Sequence, residues 1–183
     1  RMLDEELPAC GSVSLVVSWF SGDLRCGAAK LHPKVESRAT DGAEMPWVVS
    51  GLARAAAPEI AQIDGRPIYG GTPADASDIE AIRALRAAGK AVVFYPFVLM
   101  DQLQGNGLPD PYGGAEQAHL PWRGRITLSA APGQAGSPDG TGAADAEVAA
   151  FFGAAQPGQF AATEATVAYS GSEWSYRRFI LHY

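Results

Sequence analysis

Residues 77–100 constrain the fold more than any other stretch, because they join an amphipathic helix directly to a strand that is apolar on both faces. Ser77 and Glu80 have the spacing of a capping box, in which the Ser oxygen accepts an orphan backbone N–H and the Glu reaches back to the cap. Ile79, Ile82 and Leu85 form one apolar face, and Arg83 and Arg86 fall on the other. Gly89 marks the stop, since a positive φ costs glycine little. The run Ala91-Val-Val-Phe-Tyr-Pro-Phe-Val-Leu-Met100 follows at once. A run of that kind suits a parallel strand covered on both sides. Pro96 removes a ladder donor, which predicts a bulge or the strand's end nearby.

Val13-Ser-Leu-Val-Val-Ser-Trp-Phe20 predicts a second buried strand, stopped by Ser21-Gly22-Asp23. Trp47-Val48-Val49 and Pro67-Ile68-Tyr69 fit shorter strands. A helix is expected from about Ala143 to Phe152, with Thr141 as N-cap, Val148, Phe151 and Phe152 as its stripe, and Gly153 closing it. Another is expected from near Ser172, with Tyr176, Phe179, Ile180 and Tyr183 on one face. Helices alternating with two-sided strands favour an α/β fold with a parallel sheet, either a (β/α)8 TIM-barrel-like domain or an open doubly wound sheet. The last helix has no stop signal and Arg1–Leu7 has helical character, so the chain reads as an incomplete portion of a barrel. In that reading residues 1–11 end a preceding element and 12–183 are the partial domain.

The 183 residues are enough for a sizeable core, and 47% hydrophobic against 19% charged residues indicates a globular chain. With 14 Lys and Arg against 20 Asp and Glu the formal charge is −6, and no basic field is present to track phosphates, so nucleic acid is not an expected partner. No apolar run approaches the ~20 residues of a membrane span. Cys10 and Cys26 are read as reduced thiols, and two Cys with three scattered His do not make a zinc site. His119, beside Leu120, reads as structural. No cofactor is expected: Gly105-x-Gly107 lacks the rest of a dinucleotide fingerprint, and no G-K-[ST], G-x-S-x-G or H-E-x-x-H occurs.

In parallel α/β folds ligands bind beyond the C-terminal strand ends. Asp23 follows the first strand and Asp101 the second, and the long Gly/Pro-rich loop 101–142 leaves from the latter. All three therefore belong on one rim. Paired carboxylates suit glycosidic cleavage, which assigns Asp101 and Asp23 as candidate catalytic residues. Trp19, Tyr95, Trp122 and Arg123 are candidate glycan-binding residues, because a sugar's C–H face packs on an aromatic ring. The plainer alternatives are that Asp after a strand caps a turn, and that Trp19 and Tyr95 pack in the core.

Several segments together resemble a known family: Ser12-Val-Ser-Leu-Val-Val-Ser-Trp-Phe20, Tyr69-Gly-Gly-Thr-Pro73, Val93-Phe-Tyr-Pro-Phe97, Gly105-Asn-Gly-Leu-Pro-Asp-Pro-Tyr-Gly-Gly114, Pro121-Trp-Arg-Gly-Arg-Ile126 and Glu173-Trp-Ser-Tyr-Arg-Arg-Phe-Ile-Leu-His-Tyr183. They resemble the TIM-barrel-like, glycoside-hydrolase-like domain of the large tail-tip protein of gene transfer agents and related tailed phages. The resemblance runs from about Ser12 to Tyr183. It implies a virion protein at the tail's distal end, with other tail-tip or baseplate subunits as partners and a host cell-surface or envelope glycan as target. It also implies a barrel continuing past residue 183, with a Glu on the next strand as acid or base. Two functions remain open at this point: a structural, host-recognition component, or an envelope polysaccharide or peptidoglycan hydrolase using paired carboxylates.

Overall fold

The computed structural model describes residues 5–183; Arg1–Asp4, and with them most of the helical segment expected at the start, lie outside that range. In chain order the strands are β1 (Ser12–Ser21), β2 (Val48–Val49), β3 (Leu52–Ala53), β4 (Gln62–Ile63), β5 (Arg66–Pro67), β6 (Ala91–Met100), β7 (Phe160–Ala162) and β8 (Val167–Tyr169). The α-helices are α1 (Asp75–Ala87), α2 (Gly142–Phe152) and α3 (Tyr176–His182). β1 and β6 pair in parallel over their full length, with Ser12 opposite Ala91 and Ser21 opposite Met100. The remaining strands form three small antiparallel pairs, β2–β3, β4–β5 and β7–β8.

The expected TIM-barrel-like fold is therefore corrected. Among the described residues every sheet has two strands, none closes, and β1–β6 is the sole parallel pair, which makes the chain a mixed α/β fold. The reason lies between β1 and α1. A barrel needs further βα units there, but Trp47–Val49 and the stretch before Tyr69 turn back within two residues. Ser50 and Gly51 take φ of 53° and 79°, and Asp64 and Gly65 take 51° and 72°, the left-handed pair of a tight hairpin. In each the two strands pair only with one another and add no strand to β1–β6.

The parallel pair is covered unevenly. Both strands run from exposed or half-buried at their starts to buried at their ends. The two-sided cover expected of β6 is thus confined to its last residues, and Val16, Val93 and Tyr95 remain open to solvent. Pro96 stands opposite Val17 and the strand runs through it without a break. A strand with one neighbour uses only alternate N–H groups for its ladder, so one missing donor can be accommodated.

α1 begins two residues before the expected cap. Its N-cap is Ala74, and Ser77 donates its hydroxyl to the Ala74 carbonyl instead of capping. Gly89 stops it at φ 72°, as the sequence predicts. Thr141 caps α2 by accepting from the Ala143 N–H, and Gly153 follows at φ 73°. α3 starts at Tyr176, four residues after Ser172, and Ser175 caps it by accepting from the Arg178 N–H. Its apolar face is narrower than expected. Phe179 is buried and Tyr176 and Tyr183 pack against the core, but Ile180 is exposed.

The core gathers around Trp19. Its ring meets Trp174, Phe179 and His182 at centroid distances of 5.8, 5.5 and 5.6 Å, and its indole N–H donates to the Tyr183 hydroxyl at 3.1 Å. Leu24, Leu31, Val35, Val49, Val98 and Met100 complete the same cluster. Phe179 joins α3 to this cluster, so Phe179→Ala should leave a cavity and lower unfolding free energy by about 3–5 kcal/mol. Urea unfolding with an unchanged m-value would measure that loss.

Candidate functional site

The in-register pairing of β1 with β6 releases the chain from both strands at one end. Asp23 and Asp101 consequently share a rim with the start of the 101–142 loop. Each carboxylate is already occupied there. Asp101 is buried, accepts Lys34 Nζ at 2.6 Å and accepts the Ala61 N–H at 3.2 Å. Asp23 accepts Arg25 through Nη2 at 2.7 Å and Nε at 3.1 Å, the Arg25 backbone N–H at 2.8 Å and Gln117 Nε2 at 2.8 Å. Burial alone would raise the Asp23 carboxyl, but the hydrogen bonds from Arg25 and Gln117 together hold it below the usual carboxylate range. Glycosidic cleavage by paired acids requires one of them to carry a proton to the leaving group. Asp23 is held ionised and Asp101 is a buried ion-pair partner, so both act as anchors of the rim.

The loop is ordered by side-chain bonds to its own backbone. Asn106 donates to the carbonyls of Leu103 and Gln117 and accepts the Leu108 N–H. Asp110 accepts from Tyr112 and Gly114, and Glu116 accepts from Gly105 and Gly107. At its centre is Gln117, which the sequence reading did not single out. Its buried amide accepts the Leu24 N–H at 2.8 Å and Gln102 Nε2 at 3.0 Å, and donates to Asp23 and the Pro109 carbonyl. His119 lies on the surface and Cys10 and Cys26 are both free thiols.

The four aromatic and basic candidates separate into two places. Trp19 is completely buried in the core and offers no face to a ligand. Of the other three, Tyr95 and Arg123 meet at Phe97, a residue not among the candidates, and Trp122 lies beside Arg123. Tyr95 meets Phe97 at 5.8 Å edge-on, and Arg123 lies 3.7 Å from the centre of the Phe97 ring and 5.9 Å from that of Trp122. Trp122 is 66% exposed and Tyr95 46%. Tyr95 and Phe97 are two apart on a strand, hence on one face. Trp122 folds over Gly124, where any Cβ would collide with its ring. Glycine at that position is what permits the indole's orientation. The result is an exposed aromatic platform with a guanidinium laid across it.

Two further places have the character of sites. Beyond β1 a cavity of about 510 Å3 is lined by Phe20, Asp23, Lys30, His32, Lys34, Arg38 and Trp174, among others. His32 packs against Trp174 with ring centroids 4.4 Å apart and the planes tilted by 37°. Its pKa is pulled down to about 4, first by burial and then by Lys34, Arg178 and Lys30. Between α1, β6, β8 and α3 a smaller cavity of about 100 Å3 is shared by Asp75, Asp78, His182 and Tyr183. Asp75 is saturated there, accepting from Ser50, Thr166, Val167 and His182. Asp78 Oδ2 and His182 Nδ1 are buried without a protein partner. Burial, with the Asp75 charge behind it, pushes the Asp78 carboxyl up to about 7.

No protein-family model matches the chain, and no curated protein is significantly similar to it. Among the described residues no three His, Cys, Asp or Glu side chains are gathered to hold a metal ion, and no helix is long and apolar enough to cross a membrane.

Two measurements check these assignments. Lys34→Met leaves Asp101 buried without its cation and should cost about 3–5 kcal/mol in urea unfolding. For Asp78, the folded pKa lies above the ordinary 3.8, so its contribution to stability is complete below that value and is lost as pH rises through about 7. His32 runs the other way: its contribution is complete above 6.5 and is lost as pH falls toward 4. The two oppose each other in the native profile, and the difference between native protein and Asp78→Asn isolates the first. Relative to native protein, Asp78→Asn should gain stability steadily between pH 4 and 7 and hold that gain above it.

Proposed function

We propose that the chain is a structural and host-recognition component of a phage-like tail tip, and that it binds an envelope glycan through the platform of Tyr95, Phe97, Trp122 and Arg123. The exposed, guanidinium-backed indole of Trp122 carries the reading. A sugar's C–H face packs on such an exposed ring, and its hydroxyls reach the neighbouring Arg. The segment resemblance to tail-tip proteins of gene transfer agents supplies the setting: a virion, other baseplate subunits as neighbours, and a bacterial surface as target. Two of the resembling segments, Val93–Phe97 and Pro121–Ile126, supply all four platform residues.

Hydrolysis by paired carboxylates is the weaker reading. Asp101 is spent on Lys34 and Asp23 on Arg25 and Gln117, so neither stands ready as a proton donor. Binding without cleavage is the expected behaviour of these 183 residues.

The test is binding of the purified chain to lipopolysaccharide, capsular polysaccharide and peptidoglycan sacculi by biolayer interferometry. Trp122→Ala should weaken binding to the preferred polymer about tenfold or more, the equivalent of ~1.4 kcal/mol. Asp101→Asn should leave reducing-end release at the level of the native chain, which is background. Equal binding by native and Trp122→Ala protein would remove the platform from the reading.

A further inference from the structure

The cavity beyond β1 differs in kind from the aromatic platform. Three cations, Lys30, Lys34 and Arg38, line it, against one acid, Asp23, on a chain whose formal charge is −6. Asp23 is already satisfied by Arg25 and Gln117. Lys34 is bound to Asp101 at 2.6 Å, and the Arg38 guanidinium lies 3.6 Å from Glu59, whose carboxylate also accepts the Arg38 backbone N–H at 2.8 Å. Lys30 is exposed at the cavity's edge. The local field is positive, and His32 registers it: after burial, the charges of Lys34, Arg178 and Lys30 are what depress its protonation. His32 is therefore a neutral imidazole at working pH, able to donate one hydrogen bond and accept another. Phe20 and Ala57 supply apolar wall, and the His32 ring is braced by Trp174.

These features answer to one ligand chemistry. Lys30 at the edge, and an Arg38 guanidinium held only loosely by Glu59, leave positive charge for an anion beside the committed Lys34–Asp101 pair, and an apolar wall next to a neutral hydrogen-bonding ring calls for a sugar ring. The volume of about 510 Å3 lies within the ~300–1,000 Å3 of small-molecule sites. The location, past the C-terminal ends of a parallel pair, is where α/β folds bind ligands.

We infer that this cavity binds the acidic residue of a glycan, a sugar carrying a carboxylate or a phosphate, with its anion toward Lys30 and Arg38 and its ring against His32 and Phe20. This rests on the glycan-binding reading above and gives that reading a substrate class. The platform holds a sugar by its C–H face irrespective of charge. The cavity selects for charge.

The experiment is an NMR titration of the 15N-labelled 183-residue chain, following the His32 backbone amide and the Trp174 indole N–H. The probes are sodium glucuronate, glucose 6-phosphate, inorganic phosphate and methyl β-glucoside. Saturable shifts with glucuronate or glucose 6-phosphate, absent with methyl β-glucoside, are expected, and the tighter of the two names the anion. Lys30→Gln with Arg38→Gln should weaken that binding about tenfold or more, since both charge-assisted contacts to the anion are lost. Both side chains are exposed, and Lys30→Gln alone provides a milder variant whose unchanged spectrum would establish an intact fold. Raising ionic strength should weaken the acidic sugar as well.

Methyl β-glucoside binding as tightly as glucuronate would overturn the inference, as would inorganic phosphate binding as tightly as glucose 6-phosphate. Indifference of the acidic sugar to the Lys30 and Arg38 substitutions would do the same. The two readings fail separately. Polysaccharide capture that depends on Trp122, without any acidic-sugar shifts at His32, removes the cavity and keeps the platform. Acidic-sugar shifts without capture of any envelope polymer remove the platform and keep the cavity.

Discussion

Arg178 enters the interior with no carboxylate among its hydrogen-bond partners in the described residues, and much of the fold is arranged around that charge. Its guanidinium donates to the carbonyl and hydroxyl of Ser50 and to the Glu173 carbonyl. It lies 3.4 Å from the centre of the Trp174 ring and 4.4 Å from that of Tyr169. Burial pulls its pKa down to about 10, still high enough to keep the charge at neutral pH. Neutral acceptors and ring faces thus do the work that a counter-ion does elsewhere. The same contacts tie α3 to the β2–β3 turn and to β8. Asp75 adds a second tie by accepting both the Ser50 N–H and His182 Nε2. With α3 fixed at both ends, Phe179 and Tyr183 are set against Trp19 and the core closes.

The rim shows how charge in this protein divides between framework and function. Asp23, Asp101, Arg25 and Lys34 hold the loop 101–142 and the segment after β1 to the ends of the parallel pair. They are charged because buried backbone N–H groups at strand ends need acceptors, and those acceptors need cations. What remains for a ligand lies outside this network: the aromatic platform on the β6 face, and the less committed cations around His32.

Local structure was legible in the sequence to the extent that local forces decide it. The run Ala91–Met100, the stop at Gly89 and the Thr141–Gly153 helix follow from period, capping and glycine, and the structure has them. The parallel pairing of β1 with β6 was also readable from their two apolar faces, as was the shared rim of Asp23 and Asp101. The barrel was not there to be read. It rested on alternating helices and strands that an open sheet also fits, together with the segment resemblance, and the intervening residues carry short hairpins. One of these was announced by Asp64-Gly65, a dipeptide that favours a tight turn and was passed over. The cap at Ser77 failed because Asp75 was drawn into bonds with Ser50, Thr166 and Val167, residues far off in sequence. Trp19 lies in an apolar run, and its burial was the simpler reading of that run. Gln117, Lys34 and His32 gave no local signal, since their roles depend on partners brought close only by the finished fold.

The bond from Trp19 to Tyr183 closes a separation of 164 positions. On the ribosome, at roughly 5–20 residues per second, the first core strand emerges about ten to thirty seconds before the helix that covers it. During that interval Val17, Trp19 and Phe20 have no native partners from α3, and the pairing of β1 with β6 is itself non-local. Contacts so distant along the chain are formed slowly. The nascent protein therefore passes through a period in which a core strand stands unprotected, and its yield in a cell depends on what shelters that strand until α3 arrives.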